Sequence, residues 1–311
     1  IKGNAISPGF GRNLPPGKPD KVAQNVGKSR RYNCGACHFY GGRGDGVKHG
    51  DLDTSLEAAD ADVDVHMDAT GLDFTCATCH STTGHAVPGS RYTPVAKDES
   101  RPLLRGMLGM RNPTTCESCH SGRPHTPETM AKIEPLRGFT AVSMAAMMNK
   151  HGEKIACQTC HIPAMARGGV ATKMKCDWSE AGKMGPDGKP MVVKDVKGHA
   201  IYDSKKGAFV LQENVIPEYM WSNGEVIFTL LGDKVVKSDG YTPINRFGGS
   251  PNDGKSRIWP VKVFHGVQPY DPVNQTLVIP HTYGTDPDSY AVGFNWEKAV
   301  AAGMANRGAP F

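Results

Sequence analysis

The chain has 311 residues, of which 38% are hydrophobic and 22% are charged, and its formal net charge is +5 at pH 7. This length predicts one or two domains, and the mild positive surplus gives no reason to expect a nucleic-acid partner. No run of about 18 apolar residues occurs, so no membrane span is expected. The nine cysteines are more informative, because eight of them fall into four copies of one motif. That pattern excludes an ordinary cytosolic enzyme with scattered thiols.

Residues 1–33 are rich in Gly, Pro, Lys and Asn, show no periodicity, and predict an extended N-terminal arm. No secretory leader is visible in this arm, so we expect the sequence to be that of a mature chain.

The repeated motif has the pattern Cys-x-x-Cys-His, which is the attachment signature of c-type haem. Both thiols add to neighbouring vinyl groups of one porphyrin, and the adjacent histidine becomes the proximal ligand of the iron. The sequence therefore predicts four covalently bound haem c groups. The predicted anchors are Cys34, Cys37, Cys76, Cys79, Cys116, Cys119, Cys157 and Cys160, and the predicted proximal ligands are His38, His80, His120 and His161.

Three other uses of paired cysteines explain the pattern less well. Thioredoxin-like pairs occur singly, near a βαβ pattern, and need no following histidine. If the pairs formed zinc sites, the histidine that follows every pair would be a coincidence. A disulfide framework gives no reason for the histidines at all.

The first cysteines of the motifs lie at positions 34, 76, 116 and 157, which is a repeat near 41 residues. We assign residues 34–165 to a tetrahaem-binding region. A segment this short cannot cover four porphyrins with a protein core alone, so the haems themselves are expected to act as the core. Short helices are predicted around each motif and at about 139–150.

Four irons need four distal ligands. His85 and His125 each follow a motif histidine by five residues, and a histidine at that offset is expected to cross to a neighbouring haem. Ligation by Met144, Met147 or Met148 is less favoured, because clustered methionines more often serve as apolar contacts. The distal candidates, of which one is surplus, are His49, His66, His85, His125 and His151.

With two histidines on every iron no position is open to substrate, so the pattern favours electron transfer and predicts no catalytic residue. An acidic run, Asp60 to Asp68, is expected to be a solvated loop, with a calcium site as the alternative.

Residues 166–311 contain no haem motif and are expected to cover the haems or to contact other subunits. Alternating segments separated by turns predict a small antiparallel β-meander within 190–238, and a further extended pair is expected in 258–280. A closing helix is predicted from Asn295 to Ala305. Cys176 is expected to be a buried apolar residue, with a reactive thiol as the alternative. The predicted strand segments are Ala208–Leu211, Glu218–Trp221, Val226–Leu231 and Lys234–Lys237.

The predicted fold class is therefore a multihaem cytochrome c, organised by its haems, mostly coil with short helices, plus the meander. Several segments resemble the octahaem tetrathionate reductase family of multihaem cytochromes c. That family carries eight haems and reduces its substrate at a haem with a lysine ligand. The resemblance does not place that lysine in this sequence, and Lys48, beside His49, is the residue to check. The segments that carry the resemblance are Arg31–Gly42, Val47–Asp53, Asp64–Met67, Lys150–Pro163 and Trp259–His281.

In design the chain is also similar to the tetrahaem subunits of extracellular cytochrome filaments. That similarity implies an exported electron carrier whose partners are copies of itself, together with other redox proteins or extracellular acceptors. A monomeric periplasmic shuttle and a haem oxidoreductase acting on a small sulfur or nitrogen oxyanion are the alternatives.

Overall fold

The structure is a computed structural model that describes residues 27, 29–40, 52–80, 115–134, 136–235 and 240–311. Most of the predicted arm, together with His49, His85 and Lys48, lies outside the described residues. In the described part, no helix is both long enough and apolar enough to cross a membrane.

Short helices joined by loops make up the described N-terminal half. A 3-10 turn at Thr54–Ala58 precedes the second motif. Four of the helices coincide with the four motifs, as predicted, and α5 matches the helix expected at about 139–150. The helices are α1 (Arg31–His38), α2 (Cys76–Cys79), α3 (Glu117–His120), α4 (Pro127–Met130), α5 (Ala141–His151) and α6 (Cys157–His161).

Two of these helices begin with threonine caps that fix where they start. The Thr126 hydroxyl accepts a hydrogen bond from the backbone of Thr129 at the start of α4, and Thr140 accepts one from Ser143 at the start of α5. Met130 of α4 and Met144 and Ala145 of α5 form a small apolar cluster. The cluster fixes α4 against α5 and confirms a packing role for Met144.

Short strands and two closing helices make up the C-terminal half. A 3-10 turn, Trp178–Glu180, follows the first strand. The strands are β1 (Thr172–Asp177), β2 (Val192–Lys194), β3 (Ala200–Asp203), β4 (Gly207–Gln212), β5 (Glu218–Ser222), β6 (Val226–Phe228), β7 (Asn245–Phe247), β8 (Arg257–Val261), β9 (His265–Val267), β10 (Tyr270–Asp271) and β11 (Thr276–Leu277), and the helices are α7 (Tyr290–Gly293) and α8 (Trp296–Ala305).

The largest sheet has the strand order β2-β3-β4-β1-β9. The consecutive antiparallel strands β2, β3 and β4 confirm the meander, and β1 pairs with β9 in parallel. The later predicted strands are not part of the largest sheet, because β5 pairs with β8 and β6 pairs with β7. Alternation in the sequence identifies a strand but not its partner, so expecting these segments in one meander was wrong. Lys234 and Val235 are not in a strand.

The closing helix α8 packs on the backbone that precedes α7. Val300 and Met304 of α8 pack with Val278 in a second apolar cluster. A Cβ added at Gly303 would lie 2.0 Å from the carbonyl oxygen of Ile279, so only glycine permits this approach. The helix predicted from Asn295 is confirmed, and the Asn295 side chain caps it by accepting from the backbone N–H of Lys298.

Strand β8 connects the two halves of the protein. The backbone of Ile258 bonds to Lys154 and Ala156 just before the fourth motif, and its carbonyl accepts from the Thr159 hydroxyl inside that motif at 2.9 Å. Arg257 forms an ion pair with Glu117 inside the third motif, and both side chains are largely buried. The C-terminal half thus holds the third and fourth motifs directly.

Removing one partner of this ion pair should destabilise the protein more than replacing both partners. Arg257→Met leaves the Glu117 carboxylate buried without its partner, and we expect the free energy of unfolding to fall by about 3–5 kcal/mol. The double variant Arg257→Met/Glu117→Gln buries no unpaired charge and should recover much of that loss. Denaturant unfolding of the haem-loaded protein measures both, with the exposed Arg246→Met as control. A double variant at least as unstable as Arg257→Met would contradict the account.

Candidate haem-binding sites

The four motifs present their thiols and imidazoles in the same way. In each motif the first cysteine is partly buried and the second is exposed, and none of the eight forms a disulfide. The motif helices place the following histidine at or just beyond the helix end, and His80, His120 and His161 are exposed. Each motif thus offers two reduced thiols and an imidazole on one accessible surface, which is the donor set that haem c requires.

Cysteine thiols of neighbouring motifs lie near each other in the order of the sequence. The Cys34 and Cys76 thiols are within hydrogen-bonding reach. Burial raises the pKa of Cys76, and the neighbouring Cys34 thiol raises it further. Cys79 lies close enough to Cys119 for a charge interaction, which adds to the effect of burial in raising the pKa of Cys79. Motifs one and two, and motifs two and three, are therefore adjacent.

The third and fourth motifs share the closest thiol contact. The Cys116 thiol donates to Cys157, which raises the pKa of Cys116 and lowers that of Cys157 to about 7. The cysteines that lie near each other alternate along the chain, from first cysteines to second cysteines and back to first cysteines. Consecutive motifs thus lie near one another in chain order.

The protein around the motifs has few buried apolar side chains of its own. Apolar side chains near the motifs in sequence are exposed in the chain alone, including Ile162 directly after His161 at 45% and Leu72 before Cys76 at 59%. A domain of this length normally buries a larger core, and flat porphyrins would cover these side chains. In the described part of residues 29–165, the buried hydrophobic residues are Phe39, Ala59, Met130, Met144, Ala145 and Ala156.

Two pairs of histidines have the separation expected for two ligands of one iron. A metal–imidazole nitrogen bond of about 2 Å places the centres of two imidazoles on opposite sides of one metal about 6 Å apart. The ring centres of His66 and His120 are 6.0 Å apart, and those of His125 and His161 are 6.1 Å apart. Each pair joins a distal candidate to a motif histidine, and His125 faces the next motif, not its own. The residues therefore fit haem in donor chemistry and in spacing.

The other candidates are placed differently. His151 ends α5, and the contacts of the described residues do not set its ring against a motif histidine. Three histidines outside the predicted ligand set have other neighbours. His199 lies 3.2 Å from Asp195, His281 lies 2.9 Å from Asp286, and His265 stacks on a tyrosine ring.

The acidic run and Cys176 take structural roles. The side chains of Asp60, Asp64 and Asp68 each accept hydrogen bonds from backbone N–H groups two or three residues ahead, as in a turn-rich loop. In the described part of the chain, no group of three or more potential ligands is arranged for a metal ion. Cys176 lies partly buried in β1, and burial raises the pKa of its thiol.

Arg31 is a buried anchor that the sequence did not reveal. Its guanidinium donates to the carbonyl oxygens of Phe74, Leu56, Glu57 and Met67, and it lies 2.7 Å from the Asp73 carboxylate. These bonds tie the helix of the first motif to the segment that leads into the second. A basic residue three positions before a motif gives no local signal of such contacts.

Two buried donors beside the third and fourth motifs have no acceptor among the described residues. They are Nε of Arg257 and Nε1 of Trp259, which lie two residues apart on β8 and so on the same face of the strand. Buried donors are normally paired. Haem brings two propionate groups that accept hydrogen bonds, so the orphaned donors agree with a bound group that the chain itself does not supply.

Comparison with known proteins agrees with this geometry. A family model described as bacterial cytochrome c matches residues 173–311. The crystal structure of an octaheme cytochrome c from Shewanella oneidensis superposes with a TM-score of 0.70 at 35% identity, covering 96% of this chain and 60% of that chain. No curated protein matches the chain.

The chain therefore has a multihaem cytochrome c fold with attachment motifs for multiple covalently bound haem c groups, and it is related to the Shewanella octaheme protein, of which it spans 60%. Its fold is mostly coil with short helices and small sheets, as predicted. The tetrathionate reductase activity that the sequence resemblance implies stays a prediction.

Removing the Arg31 guanidinium should loosen the first two motifs together. Arg31→Met leaves several partly buried carbonyl groups without this donor, and we expect the free energy of unfolding to fall by about 3 kcal/mol. Thermal unfolding of the haem-loaded protein measures this, with Arg30→Met as the control for loss of a neighbouring charge. Equal stability of the two variants would show that the Arg31 contacts do not hold the motifs.

Proposed function

We propose that the chain carries electrons along four haem c groups, one at each motif, that follow one another in the order of the sequence. The observation that carries the proposal is that thiols of consecutive motifs lie near each other: Cys34 near Cys76, Cys79 near Cys119, and Cys116 hydrogen-bonded to Cys157. Each haem supplies one-electron chemistry at its iron. The chain's part is to fix the four groups side by side, so that an electron passes between neighbours without crossing a wide stretch of protein.

The proposal assigns distal ligands where ring geometry supports them. His66 would face His120 at the third motif, and His125 would face His161 at the fourth. The irons that His38 and His80 would bind need distal ligands. These would come from His49, His85 and His151, which leaves one of the three surplus. Two histidines on an iron leave no site for a substrate, so the assignment favours an electron carrier over an oxyanion reductase.

Ligand variants test the assignment. His66→Ala and His125→Ala should each convert one low-spin haem into a high-spin haem that binds carbon monoxide, read by optical and EPR spectra of the purified protein. His199→Ala should change neither spectrum. Spectra that stay entirely low-spin in His125→Ala would remove His125 as a ligand. Carbon monoxide binding by the unmodified protein would indicate an open iron and support the reductase alternative.

The number of haems has its own measurement. The intact mass of the secreted protein should exceed the mass of the polypeptide by four haem groups. Each variant in which both cysteines of one motif are replaced by alanine should lose the mass of one haem group. A mass increase of fewer than four groups would reject the tetrahaem proposal.

We also propose that the protein is exported and that copies of it join end to end into an extracellular filament. The open series of motifs supports this, because it has two ends, at the first and fourth motifs, where electrons can pass between copies. Strand β2 also supports it. Among the described strands β2 is at an edge of the largest sheet, with Val192 and Val193 exposed, and such an edge can pair with another chain.

Electron microscopy of material collected outside the cells tests assembly. Filaments should be present, and Val193→Lys should reduce their number if the β2 edge takes part. If no filaments are present outside the cells and the protein is found as monomers in the periplasm, the filament is rejected and a soluble shuttle is favoured. That outcome would leave electron transfer through the four haems in place.

A further inference from the structure

We infer that Asn149 is a positioning residue that holds the His125 imidazole in the protonation state and orientation needed to bind the iron at the fourth motif. The inference rests on the assignment of His125 in the proposed function. It adds a residue from outside the four motifs to the control of one haem.

Asn149 contacts His125 at three atoms. Its Oδ1 lies 3.1 Å from the backbone nitrogen of His125 and 3.3 Å from ring atom Nδ1, and its Nδ2 donates to the His125 carbonyl at 2.7 Å. The backbone N–H can only donate and the carbonyl can only accept, so these two bonds fix which end of the amide faces the ring. Oδ1 is the atom beside Nδ1.

This arrangement determines which ring nitrogen is available to a metal. An amide oxygen only accepts, so Nδ1 of His125 must carry the proton that it donates to Asn149. Nε2 then keeps its lone pair and is free to bind iron. Metal-ligating histidines almost always donate their other ring N–H in this way, and the second bond fixes the ring and raises its basicity as a ligand.

Both ends of the contact are held by packing. Asn149 lies in the last turn of α5, and His125 comes directly before Thr126, which caps α4. The two helices are joined by the apolar cluster of Met130, Met144 and Ala145. The position of the amide relative to the imidazole is therefore set by the packing of α4 against α5, and not by a flexible loop alone.

The ring that Asn149 holds is nearly parallel to the opposite imidazole. The His125 and His161 planes differ by 13°, whereas the His66 and His120 planes differ by 63°. Among the residues that the structure describes, none clamps His66 in a comparable way: its Nδ1 is 3.9 Å from Asp64, and about half of its side chain is exposed. The angle between axial imidazole planes sets the shape of the ferric low-spin EPR signal, so the two haems should give different signals.

Two substitutions at Asn149 test the inference. Asn149→Asp keeps an acceptor at Nδ1 and makes it anionic, so it should lower the reduction potential of the fourth haem, although it removes the Nδ2 donor to the His125 carbonyl. Asn149→Leu removes the acceptor, so it should raise that potential and change the signal as the ring turns. Lys150→Gln changes the net charge by the same amount as Asn149→Asp without touching His125, and it should shift the potential less.

The outcomes separate a failed inference from a failed function. If His125→Ala produces a high-spin haem while both Asn149 variants leave the potential and the EPR signal unchanged, the positioning role is rejected and the ligand assignment stands. If both Asn149 variants shift the reduction potential in the same direction and leave the EPR signal unchanged, the role of Asn149 is structural only, and the positioning role is again rejected. If His125→Ala stays low-spin, the assignment itself fails.

Discussion

Covalent attachment at the four Cys-x-x-Cys-His motifs is the constraint on which the rest of the structure depends. The described N-terminal half buries few apolar side chains, and its helices are mostly one turn long. Isolated helices of that length are not stable in water, and packing must hold them. In the proposed arrangement, thioether bonds join each short motif helix to a large flat apolar group, and the haems take the place that a protein core occupies elsewhere. The sheets and α8 of the C-terminal half have apolar contacts of their own.

The proposed path for electrons follows from the same attachment. Because cysteines of consecutive motifs lie near each other, the proposal sets the groups that they anchor side by side. Polar contacts then hold the motifs in place from outside. Arg31 joins the first motif to the approach of the second, the Arg257–Glu117 pair joins the third to β8, and Asn149 orients a candidate ligand of the fourth. These contacts determine the spacing and the ligand geometry on which transfer rates and potentials depend.

The sequence predicted the features that depend on local chemistry. The motifs predicted the short helices around them, and local sequence patterns predicted the meander and the closing helix at Asn295, because each is encoded within a few neighbouring residues. It did not predict contacts between distant positions. Arg257 is 140 residues from Glu117, and Asn149 is 24 residues from His125, and a single sequence contains no signal that joins them. The pairing of β5 with β8 was missed for the same reason.

Locating the four irons in the haem-loaded protein by anomalous X-ray scattering tests the central claim most directly. The account predicts one continuous series of irons in the order of the motifs. The third iron should lie between His66 and His120, and the fourth between His125 and His161. An interruption between consecutive motifs, or an order of irons different from the order of the sequence, would contradict it.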